Sequence, residues 1–312
     1  CGQWRACKMS RKKPIVAICY DFDGTLSPGN MQEYGFFSGL GKEAGNFWNE
    51  SSKLAQTNSA DPILAYMNHM IEKAKIGNIG TTRNAFKDYG KSVELFKGVQ
   101  DWFERVNEYG NILGIKVEHY IVSSGLKEMI DGSSIGRQFK KIYACSFIYD
   151  NNDAAKWPAV AVNYTTKTQF LFRINKGIED DNDNTKINEY IPGDQRRVPF
   201  SRMIYIGDGL TDIPCMKLVK DKGGYSIAVY DSTRRNKKKE TEKLLEDGRV
   251  NFVAVANYEK DSNMEKLVFA ILDEIEKTYR LSVFVKPVRF VKKQQAFPQT
   301  EEEPQELANG KQ

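Results

Sequence analysis

Residues Ile15–Tyr20 are mostly apolar and partly β-branched, and they run without a break into Asp21-Phe22-Asp23-Gly24-Thr25. A short apolar run of this kind reads as a strand buried on both faces, which calls for a parallel sheet covered by helices. Two carboxylates one residue apart then stand at the C-terminal end of that strand, the edge where open parallel sheets hold their ligands. Residues i and i+2 beyond a strand end can both face one cleft. One carboxylate can then attack phosphorus while the other handles the leaving-group proton. Taken alone, the same string is also compatible with an acidic loop that turns at Gly24.

The pattern of a strand followed by chemistry recurs. Residues 116–123 read as a strand leading to Ser123-Ser124-Gly125, and 203–206 as one leading to Gly207-Asp208-Gly209-Leu210-Thr211-Asp212. Residues 141–149 and 158–164 read as paired strands around a turn at 150–153, with Lys167 just before a helix over 168–175. Two further strands are expected over 225–230 and 252–256, and a last helix carries Leu267, Ile271, Leu272, Ile275 and Tyr279 on one face. Residues 179–199 are polar and rich in Asp and Asn, as in a surface loop.

The stretch from 29 to 111 has helical character instead. Asp61-Pro62 is an N-cap with proline at the first helical position, leading into Ile63, Leu64, Met67, Met70 and Ile71. Helices are also expected over 81–90 and 99–110, the second with Trp102, Phe103 and Val106 on one face. The expected organisation is an α/β core over 14–28 and 112–285, an inserted helical domain over 29–111, and flexible tails over 1–13 and 292–312.

Composition narrows the class. With 40% hydrophobic and 28% charged residues the chain reads as soluble and globular, and no run approaches the roughly 18 to 20 apolar residues of a membrane helix. Residues 14–20 are too short and too strand-like for a secretory h-region, and Met9 is one possible start. Five scattered cysteines (Cys1, Cys7, Cys19, Cys145, Cys215) without a C-x-x-C pair suit reduced thiols in a cytoplasmic protein. The net charge of +5 sits largely in local runs such as 11–13 and 234–239, without interleaved aromatics to stack on bases. A solvated helix face is the expectation for 234–239, and nucleic-acid binding is not expected.

Four acids brought together at strand ends would repel one another without a cation. Mg²⁺, which takes a few protein oxygens and completes its shell with phosphate and water, suits them. Ser123 can offer a hydroxyl, with backbone amides at a following helix N-terminus, to a phosphate oxygen. Lys167 can neutralise the nucleophile and the phosphoryl oxygens.

In their order, D-x-D-G-T (21–25), S-x-G (123–125), Lys167 and G-D-G-x-T-D (207–212), these motifs resemble the haloacid dehalogenase superfamily of aspartate-nucleophile phosphatases. The resemblance covers 14–28 and 112–280. It implies a Rossmann-like core with a central parallel sheet and an inserted C1-type helical cap, with a layout similar to the phosphoserine phosphatase branch. It further implies Asp21 as nucleophile, Asp23 as general acid and base, Ser123 with Ser124 and Gly125 as phosphate binders, and Lys167 as the stabilising lysine. Lys176 is a rival for that last role. Asp208 would ligate Mg²⁺ directly, alongside Asp21 and the backbone carbonyl of Asp23, with Asp212 supporting the site.

An acid at position 23 sets the chain apart from the dehalogenase branch. A hydrolase acting on a small phosphorylated metabolite is expected, with a phosphomutase or phosphotransferase, or a noncatalytic phosphate-binding regulator, as alternatives. Tyr34, Phe36, Phe37, Phe47 and Trp48 are candidates for substrate selection or simply for packing. The glutamate that follows the nucleophile in phosphoserine phosphatases falls by spacing on Asn30, with Glu33 nearby, so phosphoserine itself is not specified. His69 and His119 are isolated and expected to be structural. The oligomeric state is left open.

Overall fold

The computed structural model describes residues 13–282 and 284. Both expected tails lie outside the described residues, except for Lys13. In chain order the strands are β1 (Ile15–Tyr20), β2 (Lys116–Leu126), β3 (Lys141–Tyr149), β4 (Ala155–Val160), β5 (Met203–Gly207), β6 (Tyr225–Tyr230) and β7 (Phe252–Val255). They form one sheet in the order β4-β3-β2-β1-β5-β6-β7, parallel except for β4. The Rossmann-like α/β core expected from the motifs is the one observed.

β1 lies at the centre because its side chains leave it no solvent face: Val16 to Tyr20 are all fully buried. It pairs in parallel with β2 on one side and β5 on the other, Ile18 lying opposite His119 and Ile204. From β1 the chain builds outward to β4 on one side, then returns to place β5, β6 and β7 on the other. The order therefore reverses between β1 and β5, which opens a crevice beyond their C-terminal ends.

The α-helices are α1 (Gly35–Leu40), α2 (Phe47–Asn58), α3 (Pro62–Gly77), α4 (Arg83–Gly90), α5 (Val99–Ile112), α6 (Lys127–Gly132), α7 (Lys167–Lys176), α8 (Asn184–Asn188), α9 (Ile213–Asp221), α10 (Lys237–Glu246) and α11 (Asn263–Ser282). α3 starts where the cap signal places it. The Asp61 carboxylate accepts from the Ile63 and Leu64 amides, Pro62 opens the helix, and Asn78 closes it in the left-handed conformation. None of the helices among the described residues is long and apolar enough to cross a membrane.

Three features depart from the sequence reading. α5, counted there with the insertion, packs on β2 and α11: Tyr109 stacks on Phe269 at 4.0 Å, and Trp102 meets Tyr258 edge-on at 5.2 Å. Its amphipathic face announced burial but not which partner would provide it. The second strand of the 141–164 pair runs antiparallel around its turn as expected, with Ile148 opposite Trp157, but it begins three residues earlier and ends at Val160 rather than 164. Residues 179–199, read as a plain loop, contain α8 and are held by Arg173, whose guanidinium donates to the carbonyls of Asp180 (2.6 Å) and Asp181 (2.8 Å).

The insertion is fastened to the core by helix α4 against α6. A Cβ on Gly90 would overlap the Met129 carbonyl, and one on Gly132 would overlap the Lys87 carbonyl. The two backbones approach so closely that only glycine fits on either side.

Candidate active site

The crevice between β1 and β5 receives the acids. The Asp21 amide donates to the Ile206 carbonyl at 2.9 Å, carrying the strand pairing one residue past β1 and fixing where Asp21 emerges. Its carboxylate is buried, and its Oδ1 accepts from the Phe22 amide at 2.8 Å. Asp23 is half-buried, with Oδ1 held by the Met31 amide at 2.9 Å. Gly24 turns the chain between them and β5 with φ +74°, and a Cβ there would overlap the Asp208 carboxylate. Glycine at this position is thus required twice, by conformation and by the approach of β5's aspartate.

Lys167, at the first position of α7, is fully buried. Its Nζ lies 3.1 Å from Asp21 Oδ1 and 2.7 Å from Asp212 Oδ1. The turn before it is locked by reciprocal bonds, Asn163 N–H to Thr166 Oγ1 at 2.7 Å and Thr166 N–H to Asn163 Oδ1 at 3.2 Å. Lys176, one helix length on, instead donates to the carbonyls of Ile187 and Glu189, both at 2.6 Å, and so anchors the polar loop. Between the rivals, only Lys167 reaches the acids.

Asp212 is fully buried and its two oxygens are taken. Oδ1 accepts from Lys167 and from the Tyr205 hydroxyl at 2.7 Å, and Oδ2 from the Asp208 and Gly209 amides at 3.2 Å each. Carboxylate oxygens of Asp21, Asp208 and Asp212 lie within 4.8 Å of one another. Burial, with Asp212 as the next cause, pushes the Asp21 carboxyl up to about 8 against the opposing pull of Lys167. The same two causes push Asp208 up to about 7. Burial and the Asp21 charge hold Asp23 well above the carboxylate range. Burial works against a charged Lys167, but Asp21 and Asp212 outweigh it and hold the ammonium firmly protonated. Carboxyls so crowded favour protonation unless more positive charge is supplied.

These groups open onto a cavity of about 310 Å³ lined by Asp21, Asp23, Asp208 and Thr211 on one side and Ser123, Ser124 and Gly125 on another. Ser123 is among the lining residues, and its Oγ accepts from the Gly125 amide at 3.1 Å. The helix expected directly after it is displaced. β2 continues irregularly to Leu126, α6 begins at Lys127, and Ser123 to Gly125 lie in a distorted strand end rather than at a helix N-terminus.

The insertion closes the cavity with Gln32, Glu33, Trp48, Ile63 and Tyr66. Of the five aromatic candidates only Trp48 lines it, its indole N–H donating to Glu33 Oε1 at 2.9 Å. Phe36 and Phe47 are buried, and Phe37 packs on Phe47 with ring centres 5.0 Å apart. Asn30 also lines the cavity and donates to Glu33 Oε1 at 2.5 Å. His69 pairs with Glu50 at 3.0 Å outside the cavity, and His119 is buried in the core.

Among the lining residues that sequence reasoning missed are Gln32, Tyr66 and Arg234. Gln32 and Tyr66 carried no motif signal; the Tyr66 hydroxyl donates to the Ser124 carbonyl at 2.6 Å and so ties α3 to the serine loop. Arg234, read as part of a solvated basic helix face, stands on the loop before α10 and lines the cavity. Its guanidinium donates to the Pro28 carbonyl, a contact across 206 residues that a basic run cannot announce.

The chain matches no protein-family model. It is similar to an uncharacterized protein of Borreliella burgdorferi, 29% identical over 295 residues that cover 84% of this chain and 100% of that protein. Among solved structures it is similar to a probable phosphoserine phosphatase from Vibrio cholerae in unliganded form, with a TM-score of 0.51 and 11% identity over 86% of this chain and 67% of that one. A second, a HAD family hydrolase from Salmonella enterica serovar Typhi, gives a TM-score of 0.49 and 16% identity over 70% of this chain, which spans 64% of that hydrolase. At such identities the likeness to the Vibrio structure is one of fold, that of a Rossmann-like α/β core.

Proposed function

We propose that this protein is a Mg²⁺-dependent phosphohydrolase that cleaves the phosphate monoester of a small metabolite through a phospho-aspartate on Asp21. The observation that carries the reading is the buried Lys167, bonded at once to Asp21 and Asp212 beneath a cavity that Asp21, Asp23 and Asp208 all line.

The residues fit a hard divalent cation. Three carboxylates converge within 4.8 Å, and burial leaves those of Asp21 and Asp208 short of positive charge. Because four donors already occupy both oxygens of Asp212, Asp21 and Asp208 are the carboxylates left to hold the ion, with the Asp23 backbone carbonyl, and Asp212 supports them. When bound, Mg²⁺ supplies positive charge to Asp21 and to the phosphoryl oxygens.

Asp21 attacks phosphorus as the bond to the ester oxygen breaks, and Asp23 passes its proton to the departing oxygen. Its raised pKa favours the protonated form this half-reaction needs. In the second half Asp23 takes a proton from water, the water oxygen attacks phosphorus as the bond from phosphorus to the Asp21 oxygen breaks, and Asp21 is regenerated with release of phosphate. Lys167 stays charged throughout and offsets the negative charge of Asp21 and the phosphoryl group. Ser123, Ser124 and Gly125 bind the phosphoryl oxygens. A cavity of about 310 Å³ suits a small substrate, and the buried free thiols of Cys19, Cys145 and Cys215 suit a reducing cytoplasm.

The test is phosphate release from an aryl phosphate and a panel of phosphorylated metabolites, with Mg²⁺ and with EDTA. Turnover should require Mg²⁺ and fall by about 10³-fold or more in Asp21→Asn. Turnover indifferent to both EDTA and the substitution contradicts the reading.

A further inference from the structure

The charges around the cavity are unevenly divided. Asp21, Asp23, Asp208 and Glu33 line it, and among its described lining residues Arg234 is the one cation; Lys167 lies behind Asp21 and is not part of the wall. Lys167 and the metal site account for the phosphoryl group and its nucleophile. Arg234 adds its field to that of Lys167 at Asp208, but among the described residues it makes no hydrogen bond or ion pair to any of these acids.

Its position gives it a task. Nη2 donates to the carbonyl of Pro28, in the segment that leads from the nucleophile loop into the insertion, and Nε lies 3.4 Å from Asp231 Oδ2. Neither contact uses Nη1. The guanidinium is thus held where the core meets the root of the insertion. In-line attack by Asp21 sends the leaving group away from the nucleophile and toward the insertion, so its remote end passes this region.

The remaining walls are polar in a matching way. Gln32, 2% exposed, has an Oε1 without a hydrogen-bond partner among the described residues, and so has the buried Ser124 Oγ; both residues line the cavity. A buried acceptor such as Gln32 Oε1 calls for a donor on the ligand, because left unpaired it loses its hydration without return, whereas the Ser124 hydroxyl is free to donate to a phosphoryl oxygen. Arg234 keeps 53% of its side chain exposed while lining the cavity, and farther along the basic run Lys238 is exposed and pairs with Glu242 at 3.6 Å.

We propose that Arg234 forms an anion subsite for the leaving group, so that the preferred substrate is a small, polar phosphate monoester bearing a second anionic group, a carboxylate or a further phosphate. This rests on the hydrolase reading for the direction in which the leaving group points. The planar guanidinium fork suits either oxyanion, and its two existing contacts reduce the ordering needed on binding.

The test uses phosphonates, which bind without being cleaved. Binding of propylphosphonate, 3-phosphonopropionate and propane-1,3-bisphosphonate is measured by calorimetry with Mg²⁺ on the parent, Arg234→Ala and Arg234→Lys. The parent should bind at least one of the doubly anionic ligands about tenfold or more tighter than propylphosphonate, and which one names the second anion. Arg234→Ala should abolish that preference while binding propylphosphonate within about twofold of the parent, and Arg234→Lys should keep part of it. Equal parent affinities for all three ligands overturn the proposal, as does a preference that survives Arg234→Ala. An equal loss for all three ligands in Arg234→Ala overturns it too, since that marks support of the Pro28 segment rather than recognition. A parent that binds selectively yet releases no phosphate from any ester contradicts the hydrolase reading and leaves the assignment of Arg234 standing.

Discussion

Lys167 shows how one residue can serve both folding and chemistry. Its ammonium is fully buried between Asp21 and Asp212, and removing one partner of such a group leaves the other charges uncompensated. Lys167→Met is therefore expected to cost about 3 kcal/mol at neutral pH in EDTA, measured by chemical denaturation, and to lower kcat/KM by about 10²-fold or more. Gly24→Ala should separate the two effects. The side chain must occupy φ +74° and displace the Asp208 carboxylate, so stability should fall by about 1–2 kcal/mol while Mg²⁺-dependent turnover falls far more. The acids were legible in the sequence because they follow short apolar strands, and strand ends of a parallel sheet converge, whereas Lys167 opens α7 beyond the antiparallel edge strand β4 and was preferred to Lys176 on the resemblance. Arg234 was not legible, because a basic run before a helix looks the same whether its first residue faces water or a cavity reached from Pro28, 206 positions away.

At the scale of elements, the sheet was readable and the partners of its helices were not. Buried strands declare themselves by continuous apolar runs, so β1, β3 and β6 have the bounds expected. The antiparallel pairing of β4 was readable from the turn rather than from the hydrophobic pattern: the Asp150 amide donates to the Ala154 carbonyl at 2.9 Å and turns the chain back along β3. α5 shows the limit for helices, since an amphipathic stripe fixes a buried face and not what buries it. The contact of α4 with α6 depends on paired glycines, which carried no recognisable motif. Gly90→Ala or Gly132→Ala should each force those backbones apart and destabilise the protein by about 1–3 kcal/mol. Hydrogen exchange should accelerate in α4 well before β1; unchanged protection of α4 would show that the insertion is not anchored there.

For the whole molecule, the acid cluster and a buried histidine should govern how stability responds to solution conditions. An ion held by Asp21 and Asp208 binds the folded chain preferentially, so Mg²⁺ should raise Tm in thermal denaturation, EDTA should reverse the gain, and Asp208→Asn should largely abolish it. His119 sits in a buried chain in which Trp102 Nε1 donates to the Tyr20 hydroxyl, that hydroxyl donates to His119 Nδ1 at 3.0 Å, and His119 Nε2 donates to Asn107 Oδ1 at 3.2 Å. Burial pushes its pKa down from 6.5 to about 3. The unfolded chain therefore takes up a proton below 6.5 that the folded chain refuses. The stability His119 contributes is complete above that pH and is lost as pH falls toward 3, with a slope approaching about 1.4 kcal/mol per pH unit. The carboxyls of Asp21, Asp23 and Asp208, raised on folding, act in the opposite sense, so the histidine is isolated by comparison: the stability difference between the parent and His119→Gln, followed by denaturation from pH 7 to pH 4, should shift against the parent as pH falls, and a difference independent of pH contradicts the assignment.

The central claim is that Asp21 becomes covalently phosphorylated. It is tested most directly by quenching the enzyme in acid during turnover, reducing any acyl phosphate with borohydride and mapping the peptides by mass spectrometry. The expected result is homoserine at position 21, dependent on substrate and Mg²⁺ and absent from Asp21→Asn. An unmodified Asp21 in an enzyme releasing phosphate under the same conditions, or reduction at a different carboxylate, would contradict the account.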